Sequence, residues 1–175
     1  ENIRELVLNH LVVTEFYERG DSYEEALQRL KYLKHGIEDN DGYRVFYVDG
    51  KPVKREDDLH VMYRLTWYAT AFDVNAEVNN GRGPVDYKVS KGKRNASLVE
   101  FKLASNTSLR RNLEKQVEVY AKASQTEKSI KVIMYFSEAE QERVMKILRD
   151  LNLQDREDLV LIDAGRDTKP SASKA

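Results

Sequence analysis

From Val85 to Ile162 the apolar residues change period again and again, from alternation over strand-length runs to steps of three and four residues. A chain patterned in this way builds a sheet with helices laid against it. After the dense turn signal Asn79-Asn80-Gly81-Arg82-Gly83-Pro84, Val85 to Val89 and Ser97 to Leu103 read as antiparallel strands joined by the polar Lys91-Gly92-Lys93 loop. Leu109, Leu113, Val117 and Tyr120 then mark a helix, and Ile130 to Phe136 a buried strand. Ser137 and Glu140 form a capping box for a helix to about Leu151, and Leu159 to Ile162 gives a final strand.

The first half is more helical. Ile3, Leu6, Val7, His10, Leu11 and Phe16 predict a helix over 2–17, broken at Gly20 and Asp21. Ser22 with Glu25 reads as a capping box opening a second helix to about Ile37. After a turn at Asp39 to Gly42, alternation over Tyr43 to Val48 and the Asp49-Gly50 pair predict a hairpin returning through Pro52 and Val53. Asp57 and Asp58 suit a helix start, and Leu59, Met62, Tyr63, Leu65, Thr66, Ala69 and Phe72 extend that third helix to near Asn79. The expected layout is an N-terminal helical and hairpin extension (1–54), a core (55–165) and a small, polar, disordered tail (166–175).

At 175 residues and 41% hydrophobic content, the chain suits one compact domain. The formal net charge of -1 means that an anionic partner has to be met by a local basic patch. Cysteine is absent, which excludes disulfides, thiolate zinc sites and cysteine nucleophiles and fits a cytoplasmic setting. Every apolar run is far shorter than the ~20 residues of a membrane helix, so no membrane partner is expected. The first residue is Glu1 rather than Met, which suits a processed chain or part of a larger one.

Chemistry concentrates on the two central strands. Glu100 and Lys102 stand two apart, so both project from one sheet face, while Val99, Phe101 and Leu103 turn to the other and supply core contact. Asp86, on the preceding strand, comes close to Glu100 when the hairpin pairs. Adjacent carboxylates repel unless a cation joins them, and hard oxygen donors suit magnesium or manganese. An ammonium beside such an ion helps to activate water or to stabilise charge on a phosphate oxygen, as phosphodiester hydrolysis requires.

The run Gly83-Pro84-Val85-Asp86 followed by Val99-Glu100-Phe101-Lys102 resembles the PD-(D/E)xK nuclease superfamily, which places an acidic residue on one strand and Glu-x-Lys on the next. Two additions common in that superfamily also match in order: Glu77, expected on the helix before the first strand, and Gln116 with Tyr120 on the helix after the second. The resemblance spans Glu77 to Tyr120, and a literal Pro-Asp pair is absent because Val85 intervenes. It implies an α/β restriction-endonuclease-like fold with a central mixed sheet flanked by helices and the active site on its first hairpin. Asp86, Glu100 and the backbone carbonyl of Phe101 would hold Mg2+ or Mn2+, with Glu77 supporting that site or a second ion. Lys102 would position the attacking water, Gln116 would orient the nucleophile or a phosphate, and Tyr120 would face the same cleft. The implied activity is metal-dependent cleavage of DNA rather than RNA, endonucleolytic rather than exonucleolytic, in restriction, phage defence or repair. The protein would act as a homodimer or within a larger multidomain protein.

Plainer readings stand beside these. Glu-x-Lys alone is a common solvated pair on exposed strands. Glu77 reads equally as a helix-end carboxylate paired with Arg82, and Gln116 and Tyr120 as an amphipathic boundary. Arg82, Lys88, Lys91, Lys93, Arg94, Arg110, Arg111, Lys115 and Lys122 form either a rim for a phosphate backbone or a solvated surface. Ser105 to Ser108, with Asn106 among them, either bind phosphate or cap a helix. His10, His35 and His60 lack metal-ligand spacing and read as structural, as do Tyr63, Trp67 and Tyr68. The competing functions are a catalytically inactive nucleic-acid-binding or scaffold domain of the same fold, and a small interaction domain with accidental matches.

Overall fold

A computed structural model describes residue 5 and residues 20–79, 84–92, 95–122 and 128–169. In chain order the elements are α1 (Ser22–Asp39), a 3-10 turn (Gly42–Phe46), β1 (Tyr47–Val48), β2 (Lys51–Pro52), α2 (Asp57–Leu65), β3 (Asp73–Asn79) and β4 (Pro84–Ser90). They continue through β5 (Ala96–Leu103), α3 (Leu109–Lys122), β6 (Lys128–Tyr135), α4 (Glu138–Asp150) and β7 (Leu159–Asp163). β3 to β7 form a five-stranded sheet in sequence order, and β1 and β2 a separate two-stranded ribbon. β3-β4 and β4-β5 pair antiparallel, β5-β6 and β6-β7 parallel, with α3 and α4 as the crossovers. The protein is therefore α/β, with a mixed central sheet flanked by helices. Among the described residues, no helix is long and apolar enough to cross a membrane.

Strict alternation builds two cores. On β5, Ser97, Val99, Phe101 and Leu103 are buried, and they face α1 and α2 through Leu30, Leu33, Ile37, Leu59 and Tyr63. The opposite face packs Ile133 and Tyr135 of β6 against Leu109, Leu113, Val144 and Leu148 of α3 and α4. β6 is covered on both faces, so Ile130 to Tyr135 are all buried, as expected for a central parallel strand. α1 turns Ala26, Leu27, Leu30, Leu33 and Ile37 inward at helical spacing. α4 begins on the expected Ser137 cap, whose hydroxyl accepts from Glu140 N, while the Glu140 carboxylate accepts from Phe136 N at 2.7 Å.

Several expectations are corrected. The α1 cap is Asp21, whose carboxylate accepts from Tyr23 N at 2.8 Å, and Ser22 is already helical. The expected strand over Tyr43 to Phe46 is largely a 3-10 turn, leaving only two residues on each side of the ribbon. The third helix stops at Leu65, where the Thr66 hydroxyl bonds back to Tyr63 O at 2.7 Å, and Ala69 (φ 55) turns left-handed beyond it. Residues Asp73 to Asn79 form the edge strand β3 instead, so the acidic hairpin is the second in the sheet rather than the first. At the C-terminal end, Thr168 bonds to Gly165 O at 2.8 Å and Lys169 to Asp163 O at 2.9 Å, so hydrogen bonding continues past the expected start of the tail. The helix expected over 2–17 and residues 170–175 lie outside the described residues.

Candidate active site

β4 and β5 pair from Ser90↔Ala96 to Tyr87↔Val99, and the ladder ends there. One step further along this register Asp86 stands across from Glu100, and alternation turns both away from the face that buries Tyr87 and Val99. Where the ladder stops, side chains take over its hydrogen bonds. Asp86 Oδ2 accepts from Phe101 N at 2.6 Å, and Glu56 Oε1, from the residue preceding α2, accepts from Leu103 N at 3.2 Å. Phe101 O accepts from Lys102 Nζ at 2.7 Å. Two carboxylates thus satisfy the β5 amides that would otherwise be unpaired at the opening.

The same opening gathers charge. Lys102 Nζ lies 3.8 Å from Asp86 Oδ2, so its ammonium sits between a carboxylate and a carbonyl oxygen. His60 Nε2, one helical turn after Glu56, lies 3.6 Å from Asp86 Oδ2 and has no hydrogen-bond partner among the described residues. The ring is held by Phe101 at 5.4 Å and by Tyr87 at 6.0 Å between centroids. Burial pushes the Asp86 carboxyl up, but His60, the Phe101 amide and the Lys102 ammonium outweigh it and hold it below the usual aspartate value. Glu100 turns to the other neighbour of β5: its Oε2 lies 3.0 Å from Nζ of Lys131, its register partner on β6.

Asp86, Lys102 and the Phe101 carbonyl therefore come together, with Glu100 beside them but paired to Lys131. Among the described residues, no group of three His, Asp or Glu side chains is assembled as a metal cluster. Glu77 stands on β3 rather than on a helix, exposed and left-handed (φ 53), between the pairs Ala76↔Tyr87 and Val78↔Val85. That placement corrects the helical position expected for it. Gln116 and Tyr120 lie on α3 as expected, and their side chains fall outside what is described.

Of the expected basic rim, Lys88 projects from β4 at the alternation of Asp86, Lys91 lies over the Phe72 ring, and Arg111 and Lys115 are exposed on α3. Arg110 is engaged by Glu114 and Asp150. Asn106 Oδ1 accepts from Ser108 N at 2.9 Å, just before the start of α3. Arg82, Lys93 and Arg94 lie outside the described residues, and so does the side chain of Lys122. Sequence reasoning missed Glu56 and His60; the available signal was their four-residue spacing at a helix start, which puts them on one face.

No curated protein and no solved structure matches the chain. A family model described as a domain of unknown function (DUF8371) matches residues 22–138, more than half of the 175, from the start of α1 to the first residue of α4, and the chain belongs to that family.

Proposed function

We propose that this protein is a metal-dependent nuclease of restriction-endonuclease-like fold, hydrolysing phosphodiester bonds of DNA at the opening between β4 and β5. One observation carries the reading: Asp86, the Phe101 carbonyl and the Lys102 ammonium converge where the β4-β5 ladder ends, with Glu100 across the register from Asp86. The fit to a hard divalent cation is one of donor chemistry. The Lys102 ammonium already occupies a cation's place between Asp86 Oδ2 and Phe101 O, and His60 Nε2 lies 3.6 Å from the same carboxylate without a hydrogen-bond partner among the described residues.

Asp86, Glu100 and Phe101 O would hold Mg2+ or Mn2+, with His60 as a further donor; Glu77 would support the ion from β3. The ion's contribution when bound is to lower the proton affinity of water and to offset charge on phosphate. Lys102 would then orient the attacking water and stabilise the phosphate oxygen that gains charge. Gln116 and Tyr120 on α3 would line the substrate side, and Lys88, Arg110, Arg111, Asn106, Arg82, Lys93 and Arg94 would follow the phosphate backbone. Restriction, phage defence or repair, with action as a homodimer or within a larger protein, completes this reading.

The test is cleavage of plasmid, linear duplex and single-stranded DNA with Mg2+ or Mn2+, and with EDTA as control. Metal-dependent cleavage supports the proposal; intact substrate with every metal and every form of DNA rejects it. A second reading, a catalytically inactive nucleic-acid-binding domain, is favoured by the Glu100-Lys131 ion pair, which leaves Glu100 neutralised without a metal. Retention of DNA without cleavage would select it.

A further inference from the structure

Lys131 occupies an unexpected place. It lies in the middle of β6, the strand covered on both faces, and is only 5% exposed, while Ile133 and Tyr135 on the same face are packed in the α3-α4 core. An ammonium at such a position loses most of its hydration and is tolerated only with a compensating partner. Its one ion pair among the described residues is with Glu100 Oε2 at 3.0 Å; the nearby Asn112 carbonyl is a long 3.5 Å away. Glu100 is the more open partner, with its side chain 27% exposed. Parallel register fixes the pair, because residues 100 and 131 are direct neighbours across β5 and β6.

We propose that Lys131 is a resident counter-ion of Glu100, built into the sheet, that sets how tightly the site holds a divalent cation. It does so in two ways. It engages Oε2, so that Oε1 would be the oxygen to meet a cation. It also places a fixed positive charge in a poorly hydrated setting, where repulsion of a second cation is only weakly screened. Free divalent ion is consequently bound weakly. The inference rests on the nuclease reading of this site, and it assigns Lys131 a positioning role rather than a catalytic one.

Calorimetric titration of Mn2+ into the full chain tests it, using the wild type, Lys131→Arg, Lys131→Met and Glu100→Gln, with thermal melting of each as the folding control. Lys131→Met is expected to bind Mn2+ about tenfold more tightly than the wild type, as removal of a nearby like charge requires. Lys131→Arg should stay within about threefold of the wild type because the charge persists. Glu100→Gln should lose most of the binding. If Lys131→Met does not fold, Lys131→Gln, neutral and still able to donate to Glu100, is titrated in its place with the same expectation. Wild-type binding and cleavage with no tightening in the folded neutral variant would overturn this inference alone and leave Lys131 a structural residue. Absence of Mn2+ binding by the folded wild type and by the folded neutral variant alike would overturn both the inference and the nuclease reading.

Discussion

The Asp86 carboxylate accepts the Phe101 amide at 2.6 Å, a side-chain bond standing where a strand-to-strand bond would otherwise run. A single residue thereby terminates the β4-β5 ladder and presents its charge at the opening that termination creates. It also connects two faces of the sheet: His60 approaches from α2, on one face, while Lys102 belongs by alternation to the other.

Because folding holds the Asp86 carboxyl below its ordinary value, its charged form contributes stability. The sign follows directly. The contribution is complete above the unfolded value of about 3.9 and is lost as pH falls through the lower folded value. Wild-type stability should therefore decline toward acid more steeply than that of Asp86→Asn. Melting temperatures of the two, followed from about pH 6 to about pH 2, should converge at the acid end. Parallel curves would show that Asp86 contributes no such linkage.

Lys102 is only partly buried, and its ammonium contacts oxygens rather than core. Lys102→Ala should melt close to the wild type yet cleave DNA at least about 100-fold more slowly, the loss typical of a missing electrostatic stabiliser. Undiminished single-turnover cleavage would remove Lys102 from the mechanism.

His60 Nε2 lies 3.6 Å from the Asp86 carboxylate and has no hydrogen-bond partner among the described residues. His60→Ala is expected to weaken Mn2+ binding about tenfold in calorimetry, as loss of a nitrogen donor or of its orienting contact would. Unchanged affinity would make the histidine a packing residue between Tyr87 and Phe101.

Ser97 is fully buried and its hydroxyl has no partner among the described residues. Removing an unsatisfied buried hydroxyl relieves a desolvation penalty, so Ser97→Ala should gain up to about 1 kcal/mol in urea unfolding. A loss of stability would reveal a hydrogen bond to the hydroxyl.

Gly42 closes the turn after α1, and a Cβ there would sit 2.5 Å from the Gly36 carbonyl oxygen. Main chain cannot yield as a flexible side chain can, so Gly42→Ala should lose about 2 kcal/mol or more in the same unfolding experiment.

The second half of the chain was legible because its signals are long and local. β5 alternates without interruption, β6 is apolar on both faces, and the Ser137-Glu140 box marks the start of α4. The second half of the proposed metal-binding hairpin could be read for the same reason, since Glu100 and Lys102 break the polarity of an otherwise apolar strand. β3 was misread because Ala69 and Phe72 continue the α2 spacing, while Val74, Ala76 and Val78 offer only a short alternation. Glu56, His60 and Lys131 could not be found by pattern. Their partners Leu103, Asp86 and Glu100 lie 47, 26 and 31 positions away, and only the packing of α2 and the pairing of β6 bring them together.

The left-handed backbone at Glu77 has a consequence for the molecule's exterior. β3 is the outermost strand of the sheet, and an uninterrupted outer strand offers amides and carbonyls on which another chain could zip. At Glu77 the backbone leaves the extended conformation for the left-handed region, and this acidic residue is exposed. Continuous β-addition along β3 is thus disfavoured by shape as well as by charge.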